Sequence, residues 1–238
     1  MKDKPMGRKN YGSIPHLPGS RVGPGDHKCH EGQSRIATIK PRDKWDEIIV
    51  TEKLDGSNTG VFKDSNGIVY PLTRSGYHAN TSPYEMHHKF ASWVMQNWML
   101  FSDLLLPGER IVGEWLLQAH GTRYALPHVP FVVFDLMRED KRTSYDELLG
   151  RVNNILPVPH LIHRGYSLSI DNALSMAGIY GYHGALDPIE GCVWRIQRKG
   201  TVDFLAKYVR PDKVDGLYLP ELSGSNSVMN SCYQTVST

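Results

Sequence analysis

The residues best suited to chemistry in this chain sit together in Glu52-Lys53-Leu54-Asp55-Gly56-Ser57-Asn58, directly after the apolar, β-branched run Ile48-Ile49-Val50-Thr51. Lys53 is the candidate nucleophile. An amine attacks an electrophile only when neutral, and a free lysine near neutral pH is almost all ammonium. Its surroundings must therefore penalise the charged form, which a bound cation and a second lysine would do. Side chains alternate along a strand, so Lys53 and Asp55 are predicted on one face and Glu52 and Leu54 on the other. Asp55-Gly56 reads as a tight turn in which Gly56 supplies a positive φ. A bare Lys-x-Asp-Gly is also what an ordinary surface lysine beside a hairpin turn looks like, so the remainder of the chain has to decide.

Five further stretches follow in order: Arg74-Ser75-Gly76, Gly113-Glu114-Trp115, Phe131-Val132-Val133-Phe134-Asp135, Glu190-Gly191-Cys192-Val193-Trp194-Arg195 and Leu205-Ala206-Lys207-Tyr208. With the lysine stretch they resemble the covalent nucleotidyltransferase superfamily, which holds the polynucleotide ligases and mRNA capping enzymes. The form Glu-Lys-x-Asp-Gly-Ser-Asn is most similar to the ATP-dependent RNA ligase 2 family. The series runs from Glu52 to about Arg210.

The resemblance implies an α+β nucleotidyltransferase (adenylation) domain, with antiparallel sheets flanking a nucleotide cleft. It implies ATP with Mg²⁺ or Mn²⁺, a lysyl-adenylate on Lys53, transfer of AMP to an RNA 5′-phosphate, and sealing by a 3′-hydroxyl. Lys53 and Lys207 take the catalytic roles, Lys207 also contacting the α-phosphate. Nucleotide contacts fall to Glu52, Leu54, Asn58, Arg74, Glu114 and Phe134, and metal binding to Glu190 and Asp55. Glu114 sits mid-strand, where a charge is costly unless paired. Phe134 resembles the aromatic that stacks on adenine, whereas Phe131 falls on the opposite face by alternation and belongs to the core.

Two departures from the pattern matter. Where the family often has a second lysine two positions after the first, this chain has Val209 followed by Arg210. Either a bulge turns Arg210 inward, making it a nucleotide contact, or its work falls elsewhere, for instance to Lys213. Only 31 residues follow Lys207, so neither an OB-fold nor the helical domain of the RNA ligase 2 type is expected after it. Pro15-His16-Leu17-Pro18-Gly19-Ser20-Arg21 is expected to fold back over the nucleotide, with Arg21 reaching a phosphate. The alternatives are a DNA ligase or GTP-using capping-type enzyme on the same scaffold, and a non-catalytic nucleic-acid-binding module. The expected partners are RNA ends, in a nicked duplex or single-stranded, with no membrane and no obligate protein partner. An RNA-repair role in a phage or bacterial setting follows from the resemblance alone.

The bulk numbers agree with a sizeable core. At 238 residues and a formal charge of +2 the chain lacks a strongly basic nucleic-acid coat. Basic residues do collect early, ten against four acidic ones in the first 44, which fits either phosphate contact or a solvated arm. Three scattered cysteines, Cys29, Cys192 and Cys232, argue for a reducing compartment rather than a disulfide framework. No apolar run approaches the ~18 residues of a membrane span, so a cytoplasmic protein is expected. His27-Lys28-Cys29-His30 lacks the second ligand pair of a zinc finger.

The elements that must position these residues follow from pattern. Residues 1–35 form an N-terminal arm, 36–215 the nucleotidyltransferase domain and 216–238 a tail. Short strands are predicted from Ile36 onward, with an Asn66-Gly67 hairpin delivering Arg74 to a sheet edge. Ser82-Pro83-Tyr84-Glu85 reads as a capping box opening one long helix that ends before Pro107. Strands follow over Arg110–Leu117 and Phe131–Met137, then helices capped by Ser144 and Ser169. Strands over Gly191–Gln197 and Val202–Val209 complete the pattern, joined through Arg198-Lys199-Gly200.

Overall fold

The computed structural model describes residues 3–152, 154–224 and 226–232; the tail expected over 216–238 lies partly outside them. In chain order the elements are α1 (Glu31–Thr38), β1 (Asp46–Lys53), β2 (Ser57–Lys63), β3 (Val69–Thr73), a 3-10 turn (Ala79–Thr81), α2 (Glu85–Gln96), α3 (Trp98–Leu104), β4 (Glu109–Trp115), β5 (Ala125–Leu126), β6 (Phe131–Arg138), β7 (Lys141–Arg142), α4 (Tyr145–Val152), β8 (Leu161–Gly165), α5 (Ile170–Ala177), β9 (Gly191–Arg198), β10 (Thr201–Val209), α6 (Pro220–Ser223) and β11 (Ser231–Cys232). The chain divides into two compact units. Mixed helices and antiparallel sheets make it α+β, as expected. No helix among the described residues is long and apolar enough to cross a membrane.

The first unit comprises Met1–Gly12, Gly56–Leu117 and Val129–Val158. Its sheet has the order β3-β2-β4-β6-β7, antiparallel throughout. Thr59, Gly113 and Val133 are paired across three strands, as are Ser57, Trp115 and Phe131, so these share the face that α2 and α3 cover. There Phe90, Trp93, Phe101, Trp115 and Phe131 pack ring against ring, with Phe90 and Phe131 centroids 5.2 Å apart. The aromatic stripe is therefore core, and burying it supplies the main driving force of this unit. The opposite face is closed by the start of the chain. Tyr11 donates to Asp135, and Arg110 Nε donates to the Asn10 carbonyl at 3.0 Å. Residues 3–12 are irregular, as their composition predicts, yet Asn10 and Tyr11 are buried.

The second unit comprises Ser13–Asp55, Gln118–His128 and Pro159–Thr238. Its main sheet has the order β10-β9-β1-β8, and β5 pairs with β11. Ile48, Val50 and Glu52 lie opposite Ile196, Trp194 and Cys192, whereas Thr51 and Lys53 lie opposite Val193 and Gly191. The first face is core. Trp194 is fully buried and its indole N–H donates to the Leu168 carbonyl at 3.0 Å. Residues Pro15–Arg21 run along the outer edge of β10, through Lys207 N–H to Pro15 O (2.9 Å), Leu17 N–H to Lys207 O (2.8 Å) and Arg21 N–H to Val209 O (3.0 Å). An edge strand left open would template pairing with another chain, and this segment covers it.

Four local expectations are corrected. Glu31–Thr38 is a helix where short strands were predicted from Ile36; its N-cap is His30, in a capping box with Gln33, a residue type that gives little warning of a cap. The long helix before Pro107 is two helices. Asn97 breaks it at φ −109° and ψ 24°, its side-chain amide donating to the Trp93 carbonyl at 2.8 Å and so competing with the backbone ladder. The Ser82 box does not form, because α2 starts at Glu85 with Tyr84 as N-cap while the Ser82 hydroxyl meets His87 Nδ1 at 2.6 Å. Gly56, finally, is not among the glycines with positive φ. It is needed for space, since a Cβ there would lie 2.5 Å from the Trp115 carbonyl oxygen.

Gly191 carries a similar constraint at the start of β9, where a Cβ would fall 1.9 Å from the Tyr208 carbonyl oxygen. Backbone cannot yield without moving β10, so Gly191→Ala should destabilise the protein by about 2 kcal/mol or more in urea unfolding. Gly150→Ala, in α4 with nothing within 4 Å of the added carbon, should instead be neutral or stabilise by up to ~1 kcal/mol.

Candidate functional site

β1 ends at Lys53, and its last pair in the sheet is Lys53 with Gly191. Glu190 therefore enters β9 directly beside the lysine, and Lys53 Nζ lies 2.6 Å from Glu190 Oε2. Lys207 pairs with Val193, and Val193 with Thr51, so Lys207 shares the face of Lys53. Burial pushes the Glu190 carboxyl upward, the Lys53 charge pulls it down, Asp55 raises it and Lys213 lowers it.

Asp55 follows the strand. Its carboxylate meets Lys213 Nζ at 2.9 Å and accepts the Gly121 N–H at 2.9 Å, while its own N–H donates to the Tyr124 hydroxyl at 3.1 Å. Lys213 is buried and donates to Thr122 as well. His120 belongs to the same group of charges: burial lowers its pKa, Asp55 opposes this, and Lys53 and Lys213 reinforce it.

At the Val209-Arg210 departure β10 stays regular. Pairing of β10 with β9 is unbroken from Phe204 to Val209, and the irregularity falls between Val202 and Phe204. No bulge turns Arg210 inward; its guanidinium is held by Asp212. Lys213 is the cation brought to Asp55. Arg21 pairs with Asp215 at 2.7 Å.

The segment along β10 brings two residues that the sequence did not single out. Asp26 lies 3.5 Å from Lys207 Nζ and 3.1 Å from His16 Nε2. Burial alone would raise the Asp26 pKa, but Lys207, the Gly23 N–H and His16 together hold it low. No short motif could reveal this, because Asp26 and Lys207 are far apart in sequence and meet only where the segment joins the strand.

Glu52 and Leu54 are placed away from that face. Leu54 is buried. Glu52 is 1% exposed, its Oε2 accepts the Tyr182 N–H at 2.9 Å, and its Oε1 has no hydrogen-bond partner. Burial pushes its carboxyl up to about 7.

In the first unit, Asn58 and Glu114 are direct partners across β2 and β4 and so share one face. Glu114 Oε1 accepts the Gly56 N–H at 3.1 Å, and Asn58 Oδ1 is buried without a hydrogen-bond partner. A buried acceptor left unsatisfied costs free energy and marks a place where a ligand donor would be welcome. Val112 pairs with Asp135 and Gly113 with Val133, leaving Phe134 as the extra residue of a bulge. Its ring meets that of Tyr11 edge-on at 5.3 Å. Arg74 follows β3 at the sheet edge and is exposed.

Among the described residues no group of three or more His, Cys, Asp or Glu side chains is arranged to hold a metal ion. Glu190 and Asp55 fit a hard cation only if most of its oxygen ligands arrive with a phosphate substrate and water, which is the usual habit of Mg²⁺.

The sequence model of the family described as RNA ligase matches residues 46–209. No curated protein sequence matches the chain. Among solved structures, a variant of the Naegleria gruberi RNA ligase with ATP and Mn is similar at TM-score 0.52 and 14% identity, over 84% of this chain and 60% of that one. The Naegleria gruberi RNA ligase with PPi is similar at TM-score 0.52 and 16% identity, over 89% of this chain and 62% of that one. The chain thus spans about 60% of the length of these neighbours, and the likeness concerns the fold.

Glu52 provides a test of the electrostatics. The folded protein holds this proton more tightly than the unfolded chain, so stability falls as pH rises from 4.5 through about 7, by roughly 3 kcal/mol for this group. Glu52→Gln should remove that slope. In urea titrations the variant should gain on the wild type between pH 5 and about 8, and parallel curves would show that Glu52 carries no such penalty.

Proposed function

Since this chain belongs to the RNA ligase family, we propose that it is an ATP-dependent enzyme that joins RNA ends through AMP carried on Lys53. The Lys53 nitrogen, neutral after loss of one proton, forms a bond to the α-phosphorus of ATP while the bond to pyrophosphate breaks, and a second proton leaves to solvent so that a single N–H remains on the phosphoramidate. An oxygen of an RNA 5′-phosphate then takes the AMP, breaking the N–P bond. A 3′-hydroxyl attacks the activated phosphate, closes the strand and releases AMP.

The observation that carries this reading is the Lys53–Glu190 contact at 2.6 Å, at the ends of two paired strands. Glu190 Oε2 cannot serve the Lys53 ammonium and a metal cation equally well, so occupancy of the carboxylate by one loosens its hold on the other. A bound Mg²⁺ or Mn²⁺ would neutralise charge on the α-phosphate and the departing pyrophosphate. Lys207, held near the same face by Asp26, supplies positive charge to the transition state. By the family resemblance, Arg74, Glu114, Asn58 and Phe134 take the nucleoside: Glu114 and Asn58 as acceptors, Phe134 as a stacking ring, and Arg74 as a cation for ribose or phosphate.

Incubation with α-labelled ATP and Mg²⁺ should give a covalently labelled protein. Lys53→Ala and Lys53→Arg should abolish the label, since arginine keeps the charge but not the nucleophile. Lys207→Ala should slow labelling roughly 100-fold, and Phe134→Ala should chiefly raise the ATP concentration required. A wild-type protein that never takes label would falsify the mechanism. Competition of ATP with GTP, and of RNA with DNA ends, nicked or single-stranded, identifies the substrates.

A further inference from the structure

At the start of β1, opposite to the end that carries Lys53, stands Trp45, with 49% of its surface exposed. An eight-residue strand spans roughly 25 Å, so this is a separate place on the second unit. The ammonium of Lys44 lies 5.1 Å from the centre of the indole ring, and that of Lys199 lies 5.2 Å from it. Both are within cation–π range. The Trp45 backbone is pinned, its N–H donating to Asp43 Oδ1 at 2.8 Å.

The nearby carboxylates are already engaged. Arg198 holds Asp43 and Asp46, and Arg42 holds Asp46 and Asp203. Among the described residues neither Lys44 nor Lys199 has a carboxylate partner. The charge able to meet an outside anion is therefore that of the two lysines beside the ring.

Lys199 also occupies an unfavourable position. The β9–β10 turn places Lys199 at φ 51° and Gly200 at φ 77°, a two-residue hairpin in which Asn-Gly is the preferred pair. A lysine there is not explained by the turn itself, but its ammonium reaches the tryptophan.

We propose that Trp45, Lys44 and Lys199 form a contact for single-stranded RNA, distinct from the groups that handle ATP. A base stacks on the indole while the two lysines, on flexible stems, exchange the ring for the flanking phosphates. Every base has a π-face, so such a contact tolerates any sequence. The choice of RNA rests on the proposed RNA-joining activity, and the surface engages the strand well away from the reacting end.

The test uses the whole chain, a fluorescently labelled short single-stranded RNA, and anisotropy over a range of salt concentrations. Trp45→Ala should weaken binding roughly tenfold. Lys199→Asn, which suits the turn better than lysine and so keeps the fold, should weaken binding and reduce the slope of log K against log salt by about 0.7. Both variants should take label from ATP as the wild type does. RNA binding unchanged in both would overturn the proposal, as would a loss confined to vesicles containing phosphatidylserine with RNA binding intact. If the wild type never takes label yet Trp45→Ala loses RNA, the contact stands and the adenylation mechanism falls; if label is normal and RNA binding unaffected, the reverse holds.

Discussion

The pairing of Lys53 with Gly191 is the constraint on which the proposed chemistry depends. It is the last pair between β1 and β9, and it sets a lysine and a glutamate from distant parts of the chain against each other at hydrogen-bonding distance. A shift of one residue in that register would turn Lys53 to the core face and bring Glu52 outward. The register is held from both sides. Ile48, Val50, Trp194 and Ile196 must stay buried together, and Gly191 admits β10 so closely that no other residue fits.

Charges in the second unit are arranged in alternation. Glu190 faces Lys53, Asp55 faces Lys213, and Asp26 faces both Lys207 and His16. Burying such groups is expensive unless each meets an opposite charge and further donors. Here the Gly121 and Gly23 amides donate to Asp55 and Asp26, and the Thr122 hydroxyl accepts from Lys213. Glu52 is the exception, with one amide partner and no cation, and burial accordingly drives it toward its neutral form. A set of lysines kept in place by carboxylates suits the proposed use of ATP and RNA, because an incoming phosphate can replace a carboxylate partner without leaving a bare cation behind.

The beginning of the chain contributes to both units. Asn10 and Tyr11 close one face of the first unit's sheet, and Pro15–Arg21 extends the edge of the second unit's sheet. Composition marked this segment as irregular, rich in proline and glycine, and that is its local conformation. Its role as edge cover and as the source of His16 and Asp26 arises from backbone groups of β10, which leave no trace in the segment's own residue pattern.

The amino-acid order by itself determined the strand ending at Lys53, the Asn66-Gly67 hairpin, the Ser144 and Ser169 caps, the paired strands β9 and β10, and the family. These depend on local preferences and on side-chain periodicity, both of which are written in neighbouring residues. Tertiary structure alone decided what each charged group faces. It tied Arg210 to Asp212 and brought Lys213 to Asp55. It turned Glu52 into the interior, made Gly56 a matter of space rather than of φ, and set Phe134 on a bulge beside Tyr11. The physical reason is range: a turn or a cap is fixed within four or five residues, whereas an ion pair or a close backbone approach joins residues whose distance apart only the folded chain defines.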